Sequence, residues 1–167
     1  MYYSDSCAAS KPNLKDTYMS TWTLDQLSGA VGTHLGYSDW HTITQEQINQ
    51  FADATGDHQW IHTDPQRAAV GPFGTTIAHG YLVLSHIPLF LSEAFEIGGL
   101  TMAVNYGSNK VRYSAPVPVG SKLRAGVELI DLTQRPNGTM AVMRVTVERQ
   151  GADKPACVAE IVSLLVP

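Results

Sequence analysis

The sequence has few cysteines and lacks the features of an exported chain. Its two cysteines, Cys7 and Cys157, form neither a disulfide framework nor a zinc-ligand pattern, which fits a reducing compartment. The polar stretch from Met1 to Asp16 lacks the apolar core of a signal peptide. We therefore expect a soluble protein of the cytoplasm.

Long apolar runs and an excess of positive charge are also missing. The most apolar stretch, Tyr81 to Phe95, is interrupted by His86, Pro88 and Glu93 and is too short to span a bilayer. The net charge is -4, whereas a general nucleic-acid binder carries a basic excess. We expect neither a membrane nor a nucleic-acid partner, although a local basic patch for an anionic ligand remains compatible with this charge.

The length and the hydrophobic content of the chain are sufficient for one folded domain. A chain of 167 residues has the length of a single domain, and its hydrophobic fraction of 44% supplies an ordinary core. Residues 1–19 are polar and aperiodic, which predicts an N-terminal extension. The domain itself is expected to span residues 20–167.

Helix signals dominate the first half of that domain. Thr44 and Gln47 have the spacing of a capping box, an apolar stripe follows at helical spacing, and Gly56 is a residue type that ends helices. The polar residues 57–65 are predicted to form a turn. Further short helices are expected over Thr23–Ala30, with Thr23 as N-cap, and from Pro65 onward, with Asp64 as N-cap.

The second half combines one apolar helix with strands. Residues 77–95 are apolar on nearly every face, which predicts a helix buried on all sides, and Pro88 inside it predicts a kink or a local break. The order of elements favours the α+β class, with a curved antiparallel sheet wrapped around a long central apolar helix. The predicted strands are Thr101–Tyr106, Lys110–Tyr113, Lys122–Thr133, Thr139–Gln150 and Ala156–Val166, with a hairpin turn at Pro136-Asn137-Gly138.

A carboxylate and an imidazole, Asp57 and His62, stand five residues apart across the turn that follows a helix. Such a pair can face one small volume, hold a water molecule and remove its proton. Addition of such a water to a double bond conjugated with a carbonyl puts negative charge on the carbonyl oxygen, and the backbone N–H of Gly80 is a candidate donor to it. We expect the missing Cβ of Gly80 to let the ligand approach closely.

These signals also have purely structural interpretations. A glycine-aspartate-histidine run after a helix is often a C-cap followed by a polar turn, and a histidine such as His79 often only bonds to the start of a buried helix. His58 and His62 have the i,i+4 spacing of metal ligands, yet residues 57–65 resemble a turn and no further ligands have suitable spacing. We therefore expect no metal.

Four further side chains are candidate substrate contacts. Lys110 and Arg112 lie among the predicted strands and can meet the phosphates of an anionic carrier, although an ordinary solvated strand face is the better explanation for each residue taken alone. Trp60 and Tyr81 can line a channel for an acyl chain, although packing against the core is the better explanation for both.

Two motifs around these residues resemble a known family. The run from Phe51 to Pro65, FADATGDHQWIHTDP, and the run from Gly71 to Leu82, GPFGTTIAHGYL, look like the two halves of the hydratase motif of MaoC-like dehydratases. Two later runs, NYGSNKVR and APVPVG, resemble the strand region of the same family. The similarity covers roughly residues 25–166. It points to the single-domain branch that includes nodulation-protein-N-like proteins and mycobacterial (R)-specific enoyl-CoA hydratases.

The resemblance implies a hot-dog fold in a homodimer. It implies reversible, (R)-specific hydration of a trans-2-enoyl-CoA to an (R)-3-hydroxyacyl-CoA, with coenzyme A as part of the substrate and no other cofactor. The family's catalytic aspartate and histidine fall on Asp57 and His62, and its backbone oxyanion donor falls on Gly80. His79 is expected to contact the substrate.

The chain departs from the family at one position of the central helix. Some (R)-hydratases have there a serine that supports the active site, and counting from the shared histidine-glycine pair places Pro88 at that position. Ser85, one turn earlier, is the candidate to replace that serine and to contact the substrate. Two other functions on the same fold are an acyl-CoA thioesterase and a non-catalytic module that binds acyl thioesters.

Overall fold

The structure is a computed structural model that describes residues 19–167. The N-terminal extension predicted for residues 1–19 therefore lies outside the described residues, apart from Met19. The elements in chain order are β1 (Ser20–Trp22), α1 (Leu24–Ser28), β2 (His34–Tyr37), β3 (His41–Thr42), α2 (Gln45–Thr55), α3 (Trp60–Thr63), α4 (Pro65–Ala69), α5 (Gly80–Ser85), α6 (Ile87–Ala94), β4 (Phe95–Ile97), β5 (Met102–Tyr113), β6 (Lys122–Arg135), β7 (Gly138–Arg149) and β8 (Cys157–Val166).

The two ends of helix α2 follow from local chemistry. The hydroxyl of Thr44 accepts from the Gln47 amide at 3.2 Å, and the Gln47 side chain accepts from the Thr44 amide at 2.9 Å, so the predicted capping box is confirmed. Gly56 ends the helix with a φ of 79°, a left-handed conformation that glycine adopts without steric cost. Helices α1 and α4 likewise begin after the predicted N-caps, Thr23 and Asp64.

The turn predicted over residues 57–65 contains one unexpected turn of helix, α3. The amide of His62 donates to the Gln59 carbonyl at 2.9 Å, and the amide of Asp64 donates to the Trp60 carbonyl at 3.1 Å. His62 is therefore carried by helical backbone rather than by a loop.

The long central helix of the prediction is two shorter helices, α5 and α6, which meet at His86. A continuous helix would press the ring of Pro88 against the carbonyl of Leu84, whereas at the start of α6 the missing proline N–H costs no helical bond. The predicted break at Pro88 is confirmed. The expectation of burial on all sides is wrong, since Tyr81 is 70% exposed and Leu89 is 42% exposed.

Six strands form an antiparallel sheet in the order β2-β6-β7-β8-β5, with β3 also paired to β6. The β6–β7 hairpin closes where Arg135 pairs with Gly138, which confirms the predicted turn. Strands β1 and β4 pair in parallel as a separate two-stranded sheet. The short strands β1 to β4 were not expected from the sequence, because none of them is long enough to show alternation.

Strand β5 is continuous where two strands were predicted. It stays paired with β8 through two irregularities of register, between Asn105 and Gly107 and between Ser108 and Lys110. It also forms one edge of the sheet, and all of its 12 residues except Val111 are exposed. The molecule therefore presents an unpaired strand edge that carries apolar side chains.

The core lies between the inner face of the sheet and helices α5 and α6. Buried and half-buried residues alternate along the whole of β8, as expected for a sheet with one face on a core. Among residues 19–167, no helix is long and apolar enough to cross a membrane. Fully buried side chains include Ile87 and Phe90 of α6 and Leu123, Val127 and Val145 of the sheet.

Candidate active site

Asp57 follows the glycine that ends α2, on an exposed stretch of chain. Its carboxylate accepts from the Gln59 amide at 3.4 Å, and its own amide donates to the Thr55 hydroxyl at 3.5 Å, both at the long end of hydrogen bonding. Its carbonyl oxygen accepts a shorter bond of 2.9 Å from Nε2 of His79. The carboxylate is thus open to a ligand, while the main chain behind it is held.

His62, on α3, is buried, and its orientation is fixed by one bond. Nδ1 donates to the carbonyl oxygen of Ile77 at 2.7 Å, which leaves Nε2 of the neutral ring as a free lone pair. The Ile77 amide in turn donates to the Ile61 carbonyl at 2.9 Å. Burial lowers the pKa of His62, and this outweighs the opposite effect of the bond to Ile77. At neutral pH His62 is therefore an unprotonated base.

His79, the residue before α5, joins these two groups. Its ring is 3% exposed, and it lies face to face with His62, with 3.8 Å between centroids and 26° between planes. The ring of Phe51 lies 5.1 Å from it. Nδ1 of His79 is buried without a hydrogen-bond partner among the described residues. The structure thus brings Asp57, His62 and His79 into one cluster.

The three side chains of this cluster offer donor atoms within 4.8 Å of one another, a spacing that a metal ion can use. A zinc ion lies about 2.0–2.1 Å from each ligating nitrogen, in the plane of the imidazole ring. The planes of the stacked His62 and His79 rings are nearly parallel and do not meet close to the rings, so no nearby point lies in both planes. The arrangement fits an acid–base site better than a metal centre.

Gly80 opens α5 beside His62, and both line a cavity of about 300 Å³ together with Val83, Tyr113 and Val117. A Cβ on Gly80 would lie 3.1 Å from the ring of Tyr113. The missing Cβ therefore makes room for the ring of Tyr113, while the close approach of a ligand at Gly80 stays a prediction. The N–H of Gly80 is among the first amides of the helix, which have no carbonyl partner within it.

Tyr113 and Cys157 are paired across strands β5 and β8 next to this cavity. Cys157 is fully buried, and burial raises the pKa of its thiol to about 11, so it is protonated at neutral pH and is not a nucleophile. Burial also raises the pKa of Tyr113, whose hydroxyl keeps its proton. The Cys157 thiol and the Tyr113 hydroxyl are already protonated, so His62 is the group among these three that can accept a proton.

Comparison with known proteins identifies the family of this chain. Residues 26–152 match the family model described as MaoC like domain. The chain belongs to the MaoC-like dehydratase family. A protein named 3-hydroxyacyl-thioester dehydratase Z, from Mycobacterium tuberculosis, is 56% identical over 135 residues, which cover 80% of this chain and 89% of the relative. Nodulation protein N of Rhizobium meliloti is 42% identical over 145 residues, which cover 85% of this chain and 90% of the relative.

A solved structure agrees with these sequence relatives. The (R)-hydratase from A. caviae involved in PHA biosynthesis has a TM-score of 0.67 and 26% identity, and the match covers 82% of this chain and 96% of that chain. The hot-dog fold and the resemblance to MaoC-like dehydratases, both expected from the sequence, are confirmed.

Three residues of this MaoC-like chain that were predicted to contact the substrate lie outside the cluster of Asp57, His62 and His79. Trp60 is half-buried, and the guanidinium of Arg67 lies 4.5 Å above its ring. Lys110 and Arg112 are exposed on β5, where Arg112 donates to the Val111 carbonyl at 2.7 Å. Substrate contacts of these three side chains stay predictions.

Tyr81 and Ser85 lie on α5 but face different surroundings. The ring of Tyr81 is exposed and stands edge-on to that of Tyr113, with 6.3 Å between centroids. The hydroxyl of Ser85 donates to the Tyr81 carbonyl at 2.7 Å, so it is bound to its own helix rather than to Asp57 or His62. Ser85 therefore does not replace the supporting serine of other family members through a bond to the catalytic pair.

Ser85 and Pro88 instead line a second, larger cavity of about 860 Å³ between the helices and the sheet. Its other walls are mostly apolar and include Leu84, Leu91, Met143 and Ile161. Sequence reasoning missed this cavity, as it missed the carbonyl of Ile77 and the ring of Tyr113. The apolar faces of the strands and helices predict that these faces are buried, but they do not predict a cavity between them.

Proposed function

We propose that this chain hydrates trans-2-enoyl-CoA thioesters to (R)-3-hydroxyacyl-CoA thioesters and catalyses the reverse dehydration. The observation that carries the proposal is the close approach of an exposed carboxylate, Asp57, to a buried neutral imidazole, His62, beside the cavity at Gly80. The names of a relative, a 3-hydroxyacyl-thioester dehydratase, and of a similar structure, an (R)-hydratase, support it.

In the proposed reaction, a water molecule held by Asp57 and Nε2 of His62 is the nucleophile. Its oxygen bonds to the β-carbon, one of its protons passes to the pair, and the π electrons move to the thioester oxygen, which the N–H of Gly80 stabilises. The α-carbon then takes a proton from the pair and the thioester carbonyl re-forms. One water is added, and the pair returns to its starting state.

The larger cavity is the proposed site of the acyl chain. Gly80 and Ser85 stand five residues apart on α5, about 7.5 Å at a rise of 1.5 Å per residue, and Ser85 lines the cavity. A chain that starts at a thioester beside Gly80 can therefore run along α5 to the apolar walls. Each buried methylene contributes about 0.8 kcal/mol, which favours substrates long enough to reach them.

The coenzyme A part is proposed to lie outside, near strand β5. Lys110 and Arg112 are both exposed on that strand and carry the positive charge that phosphates require. Coenzyme A enters as part of the substrate, and the proposed chemistry needs no further cofactor.

A homodimer is proposed from the free edge of the same strand. Strand β5 is an edge strand of 12 residues, all exposed except Val111, and its exposed apolar side chains include Val104 and Tyr106. Natural proteins cover such edges or place charges on them. Pairing with a second copy would cover the β5 edges of both protomers at once.

The experiment that tests the reaction offers the purified protein enoyl-CoA substrates of increasing chain length. We expect the absorbance of the conjugated thioester to fall and chiral analysis to give the (R)-3-hydroxy product. A thiol reagent in a parallel assay with saturated acyl-CoA should stay colourless. Thiol release would identify a thioesterase, and stoichiometric binding without turnover would identify a binding module.

A further inference from the structure

The catalytic cluster contains a buried imidazole that the proposed hydration chemistry does not use. His79 stands 22 residues from Asp57 in the sequence, yet its Nε2 lies 2.9 Å from the Asp57 carbonyl oxygen. The same ring stacks on His62. One side chain therefore contacts the main chain of one proposed catalytic residue and the ring of the other.

The hydrogen bond from His79 is the shortest of those that hold Asp57 in place. The bonds that it forms with Thr55 and Gln59 are 3.5 Å and 3.4 Å long, and both lie within the same exposed stretch. The bond from His79 is shorter and comes from a residue that is 97% buried (3% exposed). It anchors the exposed stretch to the interior of the molecule.

The tautomer of His79 follows from the same bond. A carbonyl oxygen can only accept, so Nε2 carries the hydrogen and Nδ1 carries a lone pair. Nδ1 is buried and has no hydrogen-bond partner among the described residues. His79 therefore holds the tautomer with its hydrogen on Nε2.

We propose that His79 is a positioning residue, which fixes the main chain at Asp57 through Nε2–H and fixes the ring of His62 by stacking. The proposal rests on the proposed function, because it assigns a role within the hydration site. Small displacements of catalytic groups, on the order of 1 Å, reduce rates about 100-fold. The loss expected without His79 is therefore in kcat rather than in substrate binding.

The test compares two substitutions at His79 with one at His86. His79→Leu removes the donor, whereas the amide nitrogen of His79→Gln occupies nearly the place of Nε2 and retains it. His86 is the matched control, because its Nδ1 also bonds to a carbonyl, that of Leu82 at 2.8 Å, and its ring packs beside Phe90, outside the cavity linings.

We expect His79→Leu to lower kcat for enoyl-CoA hydration about 30- to 100-fold, with KM within about threefold of wild type. His79→Gln should recover kcat to within about fivefold, and His86→Leu should leave kcat within about twofold. Equal losses in His79→Leu and His79→Gln, or an equal loss in His86→Leu, would overturn the positioning role.

A measurement on the wild-type chain keeps the proposal independent of turnover and of variant folding. Nitrogen NMR of the His79 ring should show the Nε2–H tautomer, and the Nδ1–H tautomer would overturn the proposal. If wild type hydrates no enoyl-CoA but this tautomer is found, the proposed function fails while the contact to Asp57 stands.

Discussion

The rings of His62 and His79 are stacked, 3.8 Å apart between centroids, and each donates its N–H to a main-chain carbonyl of a different segment. His62 bonds to Ile77 through Nδ1, and His79 bonds to Asp57 through Nε2. The two rings therefore donate through different nitrogens, and together they tie α3, the start of α5 and the stretch after α2 into one unit. The open lone pair of His62 is a consequence of this arrangement.

Activity should fall in acid because His62 must be unprotonated. Burial lowers its pKa below the usual value of about 6.5, so His62 is half-protonated only below that pH. We expect kcat/KM to be level between pH 7 and pH 8 and to fall about tenfold per pH unit below the pKa of His62. The pH profile, with the His62 ring followed by NMR, checks this. An acid limb centred above pH 7 would contradict it.

Substitution of Gly80 by alanine should act through Tyr113. The added Cβ lies 3.1 Å from that ring, and overpacking of this kind costs about 1–3 kcal/mol. We expect Gly80→Ala to lower the free energy of unfolding by this amount and kcat at least tenfold. In the double variant with Tyr113→Leu, urea unfolding should show most of the stability regained. Strict additivity of the two changes would show that the contact is not responsible.

Filling the larger cavity should change the preference for acyl length. Leu91 lines it, so Leu91→Phe should reduce kcat/KM for long enoyl-CoA substrates about tenfold or more while crotonyl-CoA is hydrated as before. Leu89→Phe is the control, because Leu89 is exposed on the same helix outside the lining. Equal loss for short and long substrates would mean that the acyl chain lies elsewhere.

A charge on the edge strand should separate the proposed dimer. Each chain has a mass of 18.1 kDa, and light scattering should give twice that value for wild type. Val104→Lys, on the exposed edge of β5, should shift the mass to that of one chain. Val70→Lys is the matched control at a residue that is 89% exposed. A wild-type mass of one chain would rule out the dimer.

The sequence predicts best those features that depend on neighbouring residues. The capping box of Thr44 and Gln47 and the left-handed Gly56 are local, so the end of α2 and the position of Asp57 follow from the sequence. The break at Pro88 is local as well, because the clash involves only the preceding turn.

Features that depend on distant residues were not predictable in the same way. The contact of Tyr113 with Gly80 joins β5 to α5, and the bond from His79 to Asp57 spans 22 residues. The prediction gave two strands where β5 is one, because pairing with β8 carries the strand across Gly107 and the neighbouring irregularities of register. In each case the partner lies on an element that spacing along the chain does not identify.

The most direct test of the central claim is the hydration of crotonyl-CoA by two pairs of variants. Asp57→Asn and His62→Gln remove the proposed pair, while Asp53→Asn and His58→Gln make the same changes in a nearby exposed pair, 3.8 Å apart. We expect each of the first two to lose about 1,000-fold in kcat and each of the second two to stay within about twofold of wild type. Wild-type rates in Asp57→Asn and His62→Gln would contradict the assignment of the catalytic pair.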